Sequence, residues 1–231
     1  MSFRFAIYYV PPRGSEFYRL GSEVLGYDLR ATRELELSED LRARIGDLDP
    51  AWRAAARPFG FHLTLGEALE VDPLALPLIE EEISDLLACL SPESSLTLHA
   101  QGLERWEDGK VWVLRYRASE ALAMLQALFI ARTAPFGRHS DFVDEVRADP
   151  GKYGRAFERR RLRKFLSPRG LDTWQPHFTL LNPFGGEGGG LARRLERSFE
   201  PYQALEVESV CLMLQQDDKP WRIRREFPRL T

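Results

Sequence analysis

Cysteine, histidine and methionine are scarce in this chain of 231 residues, at two, four and three copies. Cys89 and Cys211 lie in apolar contexts, Leu-Ala-Cys-Leu and Val-Cys-Leu-Met. That reads as core packing in a reducing compartment, with free thiols favoured over a disulfide. No apolar run approaches the ~20 residues that span a bilayer, and the N-terminus lacks a basic-then-apolar leader. A cytoplasmic protein without a membrane partner is expected. Charge of one sign is lacking too: 32 Lys and Arg stand against 35 Asp and Glu, a formal net charge of −3. Bulk electrostatic attraction to nucleic acid is thereby excluded, though local basic patches are not. A 44% hydrophobic content with 29% charged residues is that of a globular protein with a sizeable core.

Two of the four histidines sit in the same short frame: Phe61-His62-Leu63-Thr64-Leu65 and Pro176-His177-Phe178-Thr179-Leu180. In a strand, side chains alternate between faces, so His and Thr of each frame project the same way, over an apolar opposite side. The frames predict strands at 61–65 and 177–181. Their separation is about half the chain, which suggests two similar lobes bringing one His-x-Thr strand each to a shared cleft.

The rest of the chain supplies the frame. Residues 3–10 alternate and stop at Pro11-Pro12. Ser15 caps a helix to about residue 26, and residues 28–50 read as a helix, or an extended piece followed by one, ending near Gly46. A helix runs from Pro73 to about Leu90. Strands at 94–100 and 111–117 flank the hairpin signal Asp108-Gly109. Ser119 caps a helix to about Thr133, with Leu122, Leu125, Leu128 and Phe129 as its apolar stripe. Residues 134–176 connect the lobes and contain the basic run Arg159–Lys164 on a helix, read as a solvated face. The glycines of 185–190 lack the Lys-Ser/Thr ending of a phosphate-cradling loop and read as a linker to a helix at 191–199. A hairpin at 206–215 and 221–227 closes the chain. The class is α+β, antiparallel sheets with helices.

Paired imidazoles suit proton management at a phosphodiester, because the group titrates near neutrality: one takes a proton from water while the other gives one to the departing oxygen. The threonine hydroxyls can donate hydrogen bonds to phosphate oxygens. Alternation places Tyr8, Thr97, His99, Arg115 and Arg117 near the same cleft, with Arg222 or Arg224 from the last strand, where an arginine fork pairs with phosphate. His62 and His177 alone are too few for zinc, and no neighbouring Cys or His has ligand spacing.

The two His-x-Thr-Leu motifs, half a chain apart, resemble those of the 2H phosphoesterase superfamily, which includes 2′,3′-cyclic nucleotide phosphodiesterases and 2′-5′ RNA ligases. The Pro58-Phe-Gly-Phe-His62 context and the opening Phe3-Arg-Phe-Ala-Ile-Tyr-Tyr-Val-Pro-Pro12 look most like a bacterial branch linked to phosphonate metabolism. Gly66-Glu67-Ala68-Leu69 departs from that branch, in which a Lys and Pro-Phe tend to follow the first motif, so reaction class carries over better than substrate. The resemblance implies one domain over 1–231, two lobes about a pseudo-twofold with helices on the outer faces and the cleft between the sheets. It implies His62 and His177 as acid and base, Thr64 and Thr179 as phosphate contacts, and no metal or cofactor. The implied partner is a small cyclic phosphate or an RNA 3′ end or 2′-5′ linkage, and the implied state a monomer. The rival readings are a non-catalytic RNA- or nucleotide-binding module and a phosphonate-pathway cyclic phosphate hydrolase.

Overall fold

The computed structural model describes residues 2–91 and 93–229. β1 (Phe3–Tyr9) leads into α1 (Glu16–Leu25), which begins where the Ser15 side chain accepts the Tyr18 amide and stops at Gly26, φ 74°. A small hairpin, β2 (Tyr27–Asp28) and β3 (Arg33–Glu34), precedes α2 (Glu39–Ile45), capped by Ser38 on the Leu41 amide. The charged stretch is therefore an extended piece followed by a helix. β4 (Leu63–Val71) carries the first motif, starts one residue after His62 and runs past the expected end. α3 (Leu76–Ala88) follows a turn opened by Pro73. Cys89 sits at its C-terminal end and is exposed, whereas Cys211 is buried; apolar sequence neighbours do not bury a residue at a helix end.

β5 (Thr97–Trp106) and β6 (Val111–Ala118) form the expected hairpin, and Ser119 caps α4 (Glu120–Thr133) through the Leu122 amide. Leu122, Leu125 and Phe129 are buried, but Leu128 is 40% exposed and outside the stripe. The connecting region folds into β7 (Gly137–His139), α5 (Asp141–Ala148) and α6 (Ala156–Phe165). β8 (His177–Leu181) carries the second motif; α7 (Gly189–Phe199), β9 (Ala204–Glu206), β10 (Ser209–Gln216) and β11 (Arg222–Pro228) complete the chain.

Nine described strands form one antiparallel sheet in the order β11-β10-β1-β4-β8-β6-β5-β9, with β7 added to β4. About the β4–β8 seam, β10-β1-β4 is matched by β5-β6-β8. These two arms are α+β lobes related by a pseudo-twofold. Sequence halves and arms do not coincide, however. β5 and β6, from the first half, pair beside β8; β10 and β11, from the second, pair beside β1. Each exchange covers a strand edge that its own half of the chain leaves open.

Beneath the seam, on the helix-covered side, Phe61 and Phe178 stack with centroids 4.9 Å apart. Phe17 of α1 meets both rings edge-on, at 5.1 and 5.0 Å. All three are 2% exposed or less. α1 approaches this closely because position 21 is glycine: a Cβ there would stand 2.3 Å from the Phe61 ring. The residues flanking the two histidines are thus the centre of the core.

Candidate active site

The seam is a single antiparallel register pair, Leu63 with Phe178. Stepping one residue either way sets His62 opposite Thr179 and Thr64 opposite His177, and residues opposite one another share a face. All four motif side chains therefore project from one face of two adjacent strands. Around them, Tyr8 pairs with Thr64 on one flank and Arg115 with His177 on the other.

Each imidazole is held by the same device. His62 Nδ1 lies 2.8 Å from the Gly60 carbonyl, and His177 Nδ1 lies 2.7 Å from the Gln175 carbonyl. A carbonyl only accepts, so Nδ1–H donates in both rings and Nε2 is left for chemistry. Thr64 Oγ1 stands 3.3 Å from His62 Nε2, within reach to donate to it. The Gly60 carbonyl is aimed by a φ of 70° and ψ of 177°, a conformation open essentially only to glycine.

The rings are packed differently. Tyr8 stacks on His62 with centroids 3.7 Å apart and planes 17° off parallel; Trp106 meets His177 edge-on at 4.6 Å. Burial pushes the His62 pKa down to about 4, opposed by its Gly60 hydrogen bond and assisted by charge on His177. His177 is lowered as well, first by burial and then by Arg115 and Arg169, while its hydrogen bond to Gln175 and the Glu104 carboxylate pull the other way. Arg115 Nη1 donates to the Pro176 carbonyl at 2.9 Å, and its Nε lies 3.8 Å from Glu104. That carboxylate also accepts from Trp106 Nε1 at 2.8 Å.

The structure therefore brings together His62, His177, Thr64, Thr179, Tyr8 and Arg115. It does not bring His99, Thr97, Arg222 or Arg224 into contact with the histidines. His99 is exposed on β5, opposite Arg117 and Ala204, and has no hydrogen bond or ring contact with the histidines among the described residues. Arg222 pairs with Leu214, which pairs with Phe5 on the helix-covered face, so its side chain points away from the cleft. Arg224 follows it, bound to Glu80 of α3 at 2.6 Å. The last strand's register, not alternation counted from its own sequence, sets that face. Thr97 shares the face of His99 but is taken up by the neighbouring strand, its hydroxyl donating to Glu206 at 2.6 Å.

Several neighbours escaped sequence reasoning. The register shift between Ala100 and Gly102 changes the facing of β5, so Glu104 and Trp106 join the cleft face opposite Val113 and Val111. Trp174 Nε1 donates to the Thr64 carbonyl at 3.1 Å, bracing the open side of the seam. Arg169, in the loop after α6, acts on both His177 and Glu67; no pattern separates it from the other arginines of that region.

Among the described residues, no three His, Cys, Asp or Glu side chains converge as metal ligands do, and no helix is long and apolar enough to cross a membrane. A hollow of about 310 Å³ lies on the helix-covered side of β5 and β6, lined by Leu103, Leu114, Tyr116, Phe199 and Gln203; it contains neither histidine.

No protein-family model and no curated protein sequence matches the chain. Solved structures do. E. coli LigT complexed with 3′-AMP superposes with a TM-score of 0.51 at 12% identity, covering 100% of both chains. E. coli LigT complexed with phosphate gives 0.50 at 12% identity, over 100% of this chain and 99% of that one. The chain, an antiparallel sheet with helices on its outer side, therefore shares the fold of E. coli LigT.

Proposed function

We propose that the chain is a phosphoesterase that opens a cyclic phosphodiester by two-histidine acid–base chemistry. The observation that carries this reading is the pair of imidazoles on one face of a single-pair seam, each with Nδ1 engaged by a backbone carbonyl and Nε2 turned away from it, that of His62 toward the Thr64 hydroxyl. LigT, which shares the fold, has been crystallised with phosphate and with 3′-AMP. A phosphorus bound between the strands lies within reach of both Nε2 atoms, with the Thr64 and Thr179 hydroxyls as donors to its oxygens.

His62, lowered to about 4, is neutral at working pH and takes the base role. Its Nε2 removes a proton from water as the water oxygen bonds to phosphorus. One ring P–O bond breaks, and His177, with Glu104 favouring its charged form, gives its proton to the departing oxygen. The product is a phosphomonoester. A 2′,3′-cyclic nucleotide suits this chemistry because ring opening leaves the alkoxide tethered.

His62→Ala and His177→Ala are each expected to lower kcat for 2′,3′-cyclic nucleotides by about 10²–10⁴, with chelators leaving the wild-type rate unchanged. Full activity in both variants would remove the mechanism. A binding role has one observation in its favour. Arg159, Arg160, Arg163 and Lys164 are exposed on α6 and form no ion pair among the described residues, a face fit for a phosphate backbone. Salt-sensitive RNA binding in a double-histidine variant, without any turnover by the wild type, would favour that second reading.

A further inference from the structure

The cleft face holds one acidic group that the proposed chemistry leaves unused. Along β1 and β4 the partners run Tyr8 with Thr64, Ile7 with Gly66 and Phe5 with Leu69, with a register shift at each step. An unbroken ladder would carry the cleft face from Thr64 to Gly66 and turn Glu67 into the core. The extra residue at Leu65 reverses this. Gly66 comes opposite Ile7 on the core side, so Glu67, next along, falls on the other face, that of Tyr8, and with Ala68 stands against Ala6 in the second bulge. A bulge beside a functional site re-aims a side chain in this way.

Glu67 is half-buried, and no described residue donates a hydrogen bond to its carboxylate. Burial raises its pKa, Arg169 opposes that rise, and its own charge raises the pKa of Tyr8, the ring stacked on His62. A half-buried carboxylate with no protein donor has only solvent to serve it, and loses that when a substrate covers the cleft face. A ligand's donors would relieve it. Phosphate is not that ligand, since two anions repel, so the carboxylate must address the organic part of the substrate. Three residues along a bulged strand place it roughly 7–10 Å from Thr64, the span from a phosphate to the far side of a nucleoside or sugar.

We propose that Glu67 is a specificity-determining residue that accepts hydrogen bonds from paired N–H or O–H donors on the organic group carrying the phosphate. A guanine edge and the vicinal hydroxyls of a sugar both present such a pair. The inference rests on the phosphate site proposed above.

Four cyclic phosphates test it with wild type and Glu67→Gln: ethylene phosphate, which has no donors, 2′,3′-cyclic GMP, 2′,3′-cyclic UMP and myo-inositol 1,2-cyclic phosphate. Gln preserves shape but turns an N–H₂ toward the donors, so the preference for donor-bearing substrates over ethylene phosphate should fall about tenfold or more, chiefly through KM. A fall for the guanosine substrate over the uridine one identifies a base, and a fall confined to the inositol substrate identifies a sugar. Ratios equal to wild type in Glu67→Gln and Glu67→Ala, with both variants folded by thermal melting, overturn the proposal. Calorimetry with 3′-GMP, inositol 1-phosphate and inorganic phosphate separates it from the hydrolysis reading. Without wild-type turnover, a loss of affinity in Glu67→Gln for the organic phosphates relative to inorganic phosphate upholds the role of Glu67 while the hydrolysis reading falls. Equal losses, or no binding by wild type, overturn it.

Discussion

At the scale of single residues, two carbonyl oxygens do much of the work. By engaging Nδ1 of His62 and His177 they choose the tautomer and leave both Nε2 atoms without a proton of their own in the neutral ring, on the same side of the sheet. Surroundings then separate the pair. Burial lowers both, His62 to about 4; at His177 Arg115 and Arg169 push the same way, and the Gln175 hydrogen bond and Glu104 oppose them. In the free protein, the base must be unprotonated and the acid protonated. kcat/KM should therefore rise as pH climbs through about 4, where His62 loses its proton, and fall as pH rises through the His177 pKa, which lies below the ordinary 6.5. The bell is expected on the acid side of neutrality, and Glu104→Gln should move its alkaline limb to lower pH. A rate profile still rising above pH 7 would contradict the assignment.

At the scale of elements, the histidines are positioned by what lies under them. Phe61 precedes one and Phe178 follows the other; their stacked rings and Phe17 of α1 tie β4, β8 and the first helix into one aromatic unit. Phe178→Ala should cost about 3–5 kcal/mol of stability, the usual range for emptying a buried phenylalanine site. It should also lower kcat, because β8 loses its stacking partner across the seam. Denaturant unfolding with activity at low temperature measures both; an unchanged kcat in the folded variant would detach the core from the site. Most elements were legible in the sequence because their signals are local: alternation in β1 and β6, serine caps at Ser15 and Ser119, Asp108-Gly109 between β5 and β6. The motif pair marked the candidate site for the same reason. Facing was less legible. Bulges near Leu65 and Gly102 reverse alternation without a distinctive residue pattern, hiding Glu67, Glu104 and Trp106. Register with a distant strand turned Arg222 away. Arg169 reaches the cleft through tertiary folding of the connecting region alone.

At the scale of the molecule, the two arms of the sheet are woven from both halves of the chain. A half-length sequence repeat would lead one to cut between residues 133 and 134, yet that cut strands β1 without β10 and β8 without β6. Fragments 1–133 and 134–231 are accordingly expected to show no cooperative melting alone and to regain it on mixing. Circular dichroism of each fragment and of the pair decides this; an independent transition in either half would refute the interlocked arrangement.

The seam itself has a mechanical corollary. Where β1 and β10 share six register pairs and β5 and β6 eight, β4 and β8 share one. The ladder itself therefore contributes little at this join, about 1 kcal/mol for a net hydrogen bond, and the buried Phe61, Phe178 and Phe17 rings beneath it are what fasten the two arms. The spacing of the two imidazoles is thus set by hydrocarbon rather than by backbone pairing, and a change in those rings is expected to be felt there before any other ladder opens.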